Sequence, residues 1–191
     1  SYDLTGMYAV EEGIITTNRE YLNVKNASDT ELCFTAVWTF PRVDMKEFVE
    51  RDDGTVLLKA NAETYKGARN KGQTSVALPD YIENAYEFLD EPGEWYLDRP
   101  SDTIYYIPRM GEDIQTAECV VPVLEELVGI KGESECDVVE NIQFDGISFE
   151  YSTYLRPNDY GNVDAQGNNI RDGRGNPDWV TPGSIMVEYA H

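Results

Sequence analysis

The chain alternates apolar and polar positions as short strands and turns do, and its helical periodicity is sparse. Leu32-Cys33-Phe34-Thr35-Ala36-Val37-Trp38-Thr39-Phe40 is dense in β-branched and aromatic residues and stops before Pro41, a composition that packs well on a pleated surface. Phe48-Val49 and Val56-Leu57-Leu58 flank Asp52-Asp53-Gly54-Thr55, which predicts a hairpin, because Asp and Gly accept turn geometry. A second hairpin is predicted where Trp95-Tyr96-Leu97 and Ile104-Tyr105-Tyr106-Ile107 flank the polar run Asp98 to Asp102, with Pro100 presetting one backbone angle. The 3.6-residue period is clearest where Ile82, Ala85, Tyr86 and Leu89 recur three or four apart ahead of Pro92-Gly93. A short helix is therefore expected near 81–89.

From Cys119 onward the pattern changes. Val120, Val121, Val123, Leu124, Leu127, Val128 and Ile130 form an apolar stretch, and Val138 to Phe149 follows after a polar break. Ile142 and Phe144 lie at even positions and Ile147 and Phe149 at odd ones, with Gly146 between them. One continuous strand would send these pairs to opposite faces. A bend at Asp145-Gly146 resets the alternation and turns all four toward one interior. Two short inward-facing strands meeting at a corner are one coil of a solenoid, and Ser184 to Ala190 reads as part of the next coil. The intervening 154–182, rich in Gly, Asn and Asp, is expected to project from the coils as a long loop.

Charge and composition narrow the function. Acidic residues outnumber basic ones 36 to 15, for a net charge of −21, and such a field repels phosphate backbones and anionic lipid. No nucleic-acid and no membrane partner is expected, and the apolar runs are too short to span a bilayer. Cys33, Cys119 and Cys136 are odd in number and widely spaced, so buried free thiols are expected in place of a disulfide framework or a zinc site. His191 is the one histidine, which argues against Ser-His-Asp and Cys-His catalysis within this chain. The 13 tyrosines and three tryptophans, in an acidic, Asn- and Gly-rich chain, suit a secreted or cell-surface protein whose partner is a polysaccharide or other glycan.

Glu83-Asn84-Ala85-Tyr86-Glu87-Phe88-Leu89-Asp90-Glu91-Pro92-Gly93-Glu94-Trp95-Tyr96-Leu97-Asp98, with Ile104 to Pro108 and Gly111-Glu112-Asp113 after it, carries a resemblance. It resembles a segment of bacterial right-handed parallel β-helix repeat proteins, among them glycoside hydrolases related to α-L-fucosidases and xylanases. The coil Asn141 to Phe149 and the strand Trp38-Thr39-Phe40-Pro41-Arg42 are similar to theirs as well. The resemblance implies an all-β chain: a small sandwich- or barrel-like domain at 1–117, inserted near the start of a β-helix, then the first parallel coils at 118–191. It implies further that the catalytic carboxylates lie on later coils of a larger parent, beyond His191, and that the chain alone is inactive.

Within the chain, candidate chemistry is weighed by type. Glycoside hydrolysis uses two carboxyl groups about 5 to 9.5 Å apart, one of them with a raised pKa. Asp90 with Glu91 and Asp145 with Glu150 are nominal pairs, and a solvated turn or corner accounts for both. Asn158, Asp159, Asn162, Asp164, Asn168, Asn169 and Asp172 offer oxygen atoms of the kind Ca²⁺ takes. Their spacing matches no calcium motif, so a solvated loop without metal or other cofactor is the working expectation. Tyr151, Tyr154, Arg156, Tyr160 and Trp179 flank the long loop and are the candidate ligand contacts, since aromatic faces beside planar polar groups suit sugars. Trp95, Tyr96, Tyr105 and Tyr106 read as cross-strand hairpin packing. Three functional readings follow: a segment of a glycoside hydrolase, a non-catalytic carbohydrate-binding module, or a structural cover for a solenoid. An open last coil would also expose a strand edge through which the chain dimerises.

Overall fold

The computed structural model describes residues 4–35, 39–70, 78–155, 163–165 and 183–191. The chain divides into two compact units, Ser1–Ala117 with Asn158–Trp179, and Glu118–Pro157 with Val180–His191.

The first unit is built on a seven-stranded antiparallel sheet. Its strands are β1 (Tyr8–Val10), β2 (Gly13–Thr16), β3 (Glu31–Cys33), β4 (Thr39–Glu50), β5 (Val56–Ala60), β6 (Tyr81–Glu83) and β10 (Val163–Ala165). The order is β1-β2-β5-β4-β3-β6, with β10 added on β4. The long β4 makes this possible: Arg42 to Asp44 pair with β3, and Met45 to Glu50 pair with β5 across a bulge between Met45 and Glu47. A bulge of this kind bends the strand and increases its twist. The β4–β5 turn forms as the sequence predicts, with Arg51 N–H donating to Thr55 O at 2.9 Å and Thr55 N–H to the Asp53 carboxylate at 3.0 Å.

In β4 the side chains alternate, Pro41, Val43 and Met45 buried and Arg42 and Asp44 half-buried, the period-2 signature of a sheet covered on one face. The core gathers Ile14, Leu32, Val43, Met45, Val56, Leu58 and Ile82 from the strands with Tyr65 and Ala68 from helix α1 (Ala62–Asn70). Tyr21, on the 3-10 segment Arg19–Asn23, closes the core with edge-on contacts to Phe48 and Phe88 at 5.8 and 6.4 Å. Each fully buried aliphatic side chain here contributes ~1.5–3 kcal/mol. One sheet covered by α1 and 3-10 turns thus stands where a sandwich or barrel was expected.

Gly13 is required by its position. At φ 148° it lies against β5 so closely that a Cβ would sit 2.1 Å from Leu58 O, and Tyr65 Oη donates to its carbonyl at 3.1 Å.

Two expectations are corrected. Residues 81–89 form no α-helix: 81–83 are β6, paired with β3, and only Tyr86–Phe88 makes a 3-10 turn. Asn84, at φ 65°, breaks the helical path, and cross-strand pairing of Ile82 with Leu32 uses the same apolar residue in a strand. The helix is α1 instead, opened by Asn61, whose side-chain Oδ1 accepts from Glu63 N–H at 3.2 Å. The cysteines are free, as expected, but only Cys33 is buried; Cys119 and Cys136 are exposed.

β7 (Trp95–Asp98) and β8 (Thr103–Tyr106) form the second predicted hairpin, a two-stranded antiparallel sheet closed by the 3-10 turn Arg99–Ser101.

The second unit is organised by parallel pairing. β9 (Val128–Lys131) and β11 (Ile185–Glu188) run parallel, Val128 opposite Ile185 through Lys131 opposite Glu188. Leu124 bridges Ser152 and Val139 bridges Ala190, both parallel. Segments in the order 124, 128–131, 139 therefore meet segments in the order 152, 185–188, 190. Asn141, Gly146 and Tyr151, five residues apart, all have positive φ, 63°, 67° and 64°, and turn the chain between short extended pieces. The bend at Gly146 brings the Phe144 and Phe149 rings edge to face at 5.3 Å, so residues of opposite parity share a side, although no strand flanks the bend. Ile142, Phe144 and Ile147 remain exposed.

Candidate functional site

Two polar arrangements stand out in the first unit. The first lies on β3, β4 and β6, on the face opposite Leu32, Val43 and Ile82. Glu31 stands across from Glu83 and Asp44, and Cys33 across from Tyr81 and Arg42; opposed residues of neighbouring strands share a face. Arg42 sits between the carboxylates, its Nε donating to Glu31 Oε2 at 2.7 Å and its Nη2 bonding Glu83. Burial works against the charge on Arg42, yet Glu31 and Glu83 outweigh it and hold the guanidinium pKa above its usual value. Burial, helped by Glu83, pushes the Cys33 thiol up to about 12. Ligand-type atoms of Glu31, Cys33 and Glu83 lie within 4.8 Å of one another. Arg42 bonds both carboxylates, so a guanidinium occupies the centre of this cluster.

The second arrangement is the β7–β8 hairpin, whose two faces differ. On one, Tyr96 is 4% exposed: its hydroxyl accepts from Asn26 Nδ2 at 2.7 Å and donates to Asp29 Oδ2 at 3.0 Å. Burial and Asp29 push its phenol pKa up, against the hydrogen bond from Asn26. Tyr86 packs edge-on against Tyr96 and Tyr105, at 6.4 and 4.8 Å. On the other face Trp95 stands across from Tyr106 and is 64% exposed. Trp95 thus has the cross-strand partner that the sequence predicts while leaving most of its own surface open.

At the edge of that open face the Tyr106 hydroxyl donates to Glu112 Oε2, which also accepts from Arg109 N–H at 2.9 Å. The Arg109 guanidinium reaches Glu112 Oε1 at 3.5 Å and packs over Gly93, where a Cβ would meet its Nε at 2.6 Å. The hydrogen bond from Tyr106, then that from Arg109 N–H, hold the Glu112 carboxyl below its usual pKa, and the same bond raises the Tyr106 phenol. Hydrogen bonds from Thr55 likewise hold the Asp53 carboxyl below its usual pKa, so Glu112 and Asp53 are both made more acidic. A general acid for glycoside hydrolysis needs the opposite shift.

Of the residues singled out beside the long loop, Tyr151 is exposed and Tyr154 half-buried. Arg156, Tyr160 and Trp179 lie outside the described residues, as does the oxygen-rich run apart from the backbone of Asp164 in β10. Asp90 and Glu91 are exposed, and both of their N–H groups donate to Glu94 Oε2, at 2.8 and 3.1 Å, which makes them part of a turn. Asp145 and Glu150 are exposed around the Gly146 bend. The sequence reading missed the Arg42 cluster altogether and did not foresee how open Trp95 is.

Comparison with known proteins gives the chain a context. A family model described as the GH141 insertion domain matches residues 9–109, more than half of the chain. No curated protein matches. A solved structure titled "Glycoside hydrolase" superposes with a TM-score of 0.63 at 22% identity, over 83% of this chain and 29% of its own. At that identity the likeness speaks for the fold, and the chain spans less than a third of that structure's length.

Proposed function

Since the chain belongs to the GH141 insertion domain family, we propose that it is the non-catalytic, substrate-side part of a secreted or cell-surface bacterial glycoside hydrolase. Residues 1–117 form the inserted domain, which shapes one wall of a cleft. Residues 118–191 form the first coils of a right-handed parallel β-helix, and the hydrolytic carboxylates stand on later coils of the parent protein. The observation that carries this reading is the family match over 9–109. The in-register parallel pairing of β9 with β11, and the bridges on either side of it, support the β-helix: parallel strands contributed by successive turns of chain are how solenoids stack. The partner is a glycan, and the charge of −21 disfavours nucleic acid and anionic membrane.

The test compares the 191-residue chain with its full-length parent on aryl glycosides and on neutral and acidic polysaccharides. Hydrolysis by the parent and none by the chain is expected. Turnover by the chain alone would place the catalytic pair within it, and a parent inactive on every substrate would favour a binding module.

A further inference from the structure

We propose that the open face of the β7–β8 hairpin, centred on Trp95 and edged by Tyr106, Arg109 and Glu112, is a subsite for a neutral pyranose unit of a glycan. The inference rests on the reading of the chain as part of a glycoside hydrolase and adds to it a place and a chemical class of ligand.

The geometry supplies both halves of a sugar contact. Trp95 and Leu97 share a face with Tyr106 and Ile104 through their cross-strand pairing. Trp95 and Ile104 are exposed, while Leu97 and Tyr106 are half-buried beside them. A pyranose presents a face of axial C–H groups to a flat apolar ring and a rim of hydroxyls around it. The indole matches the first. The rim is matched by Glu112 and Arg109, which are already oriented: Glu112 is held by Tyr106 Oη, Arg109 N–H and the Arg109 guanidinium, and Arg109 lies against Gly93, where no side chain displaces it. Planar carboxylate and guanidinium forks suit the paired hydroxyls of a sugar. The hairpin itself is fixed from behind, through Tyr96 to Asn26 and Asp29 and through Arg99 to Asp29 at 3.2 Å, so the face is preorganised.

Charge and size select the occupant. The chain carries −21, and Asp90, Glu91, Glu94, Asp98 and Asp102 all lie within a few residues of the two strands. That field repels uronate, sulfate and phosphate groups and leaves neutral sugars unopposed. A second copy of the chain is a poor fit, because two four-residue strands present a few hundred Å² where a stable dimer buries ~800 Å² on each partner.

The 191-residue chain is titrated with neutral hexasaccharides of the β-xylan, β-glucan, β-mannan and β-galactan types and with hexagalacturonate. Binding is followed by calorimetry and by the Trp95 indole N–H resonance. The expected result is that at least one neutral hexasaccharide binds and shifts that resonance, that Trp95→Ala weakens it by about tenfold or more, and that Trp95→Tyr keeps most of the affinity. Trp95→Ala is solvent-facing, and circular dichroism verifies its fold. The subsite is refuted if no neutral hexasaccharide binds, if Trp95→Ala binds like the parent sequence, or if hexagalacturonate binds more tightly than every neutral sugar. These outcomes are independent of turnover by the full-length enzyme, so the subsite and the hydrolase reading fail separately.

Discussion

Arg42 on β4 and Glu31 on β3 are joined through Nε donating to Oε2 at 2.7 Å, while the other arm of the same guanidinium bonds Glu83 on β6. One side chain thus ties three adjacent strands together on the face away from the core. The Glu31 side chain is only 10% exposed, and removing the guanidinium leaves it facing Glu83 across the strands without the cation between them. Loss of one partner of a well-buried pair costs about 3–5 kcal/mol. Arg42 is about one-third exposed, and screening by water reduces that figure. Arg42→Ala is expected to lower unfolding free energy in urea by roughly 2 kcal/mol, and Glu31→Gln in the same background should restore part of it. Equal stability of Arg42→Ala and the parent sequence would show the ion pairs to be surface decoration.

Cys33 lies in the same cluster, and its burial makes a chemical prediction. The thiol is pushed from 9.0 up to about 12, so at pH 8 it carries almost no thiolate, the species that reacts. Cys119 and Cys136 are exposed. A disulfide exchange reagent at pH 8 should titrate two thiols in the native chain and three in denaturant. Three in the native state would disprove the burial. The sign of the pH dependence follows from the same shift: below pH 9.0 both states keep the proton, and between pH 9.0 and about 12 the unfolded chain releases it first. Stability therefore falls as pH rises through that window, and Cys33→Ala should flatten the fall.

How much of this was legible beforehand depends on the sequence distance over which each contact acts. The hairpins were readable because turn chemistry is local: Asp53 holds Thr55 N–H, and the Pro100 turn joins β7 to β8. Residues 81–89 were misread because Ile82, Ala85 and Leu89 satisfy a helical spacing while pairing with β3, fifty positions earlier, decides Ile82. α1 is hard to read from the sequence because, among its described side chains, Tyr65 and Ala68 are the only buried apolar ones, although Asn61 ahead of Glu63 is a usable start signal. The Arg42 cluster joins residues 11 and 41 positions apart, a separation that no local pattern encodes. The alternation of Trp95 and Tyr96 was visible. Which of them is covered depends on Asn26 and Asp29, about seventy positions away.

Gly13 and Tyr65 test the packing of α1 on the sheet. Gly13→Ala places a methyl group 2.1 Å from Leu58 O at a backbone φ of 148°, so β2 and β5 must separate or the residue must change conformation. A loss of ~3 kcal/mol or more is expected. Tyr65→Phe removes only the hydroxyl that donates to Gly13 O at 3.1 Å and should cost ~1 kcal/mol. Thermal denaturation of the two variants should rank them in that order, and a Gly13→Ala chain as stable as the parent would contradict the close approach.

β11 offers the last prediction. It pairs with β9 in a two-stranded sheet, so among the described residues each strand keeps one edge without a strand partner. All four β11 side chains are exposed, among them Ile185, Met186 and Val187. An apolar strand with an open edge pairs readily with another copy, and natural proteins suppress this with charge on the edge. The 191-residue chain is therefore expected to self-associate, its weight-average mass rising with concentration in sedimentation equilibrium. Val187→Lys should keep it monomeric, because the ammonium must be desolvated wherever two β11 strands meet. Glu188 already pairs with Lys131 at 2.7 Å. A chain that stays monomeric at every concentration would mean that the edge is closed in solution, and association that survives Val187→Lys would move the contact away from β11.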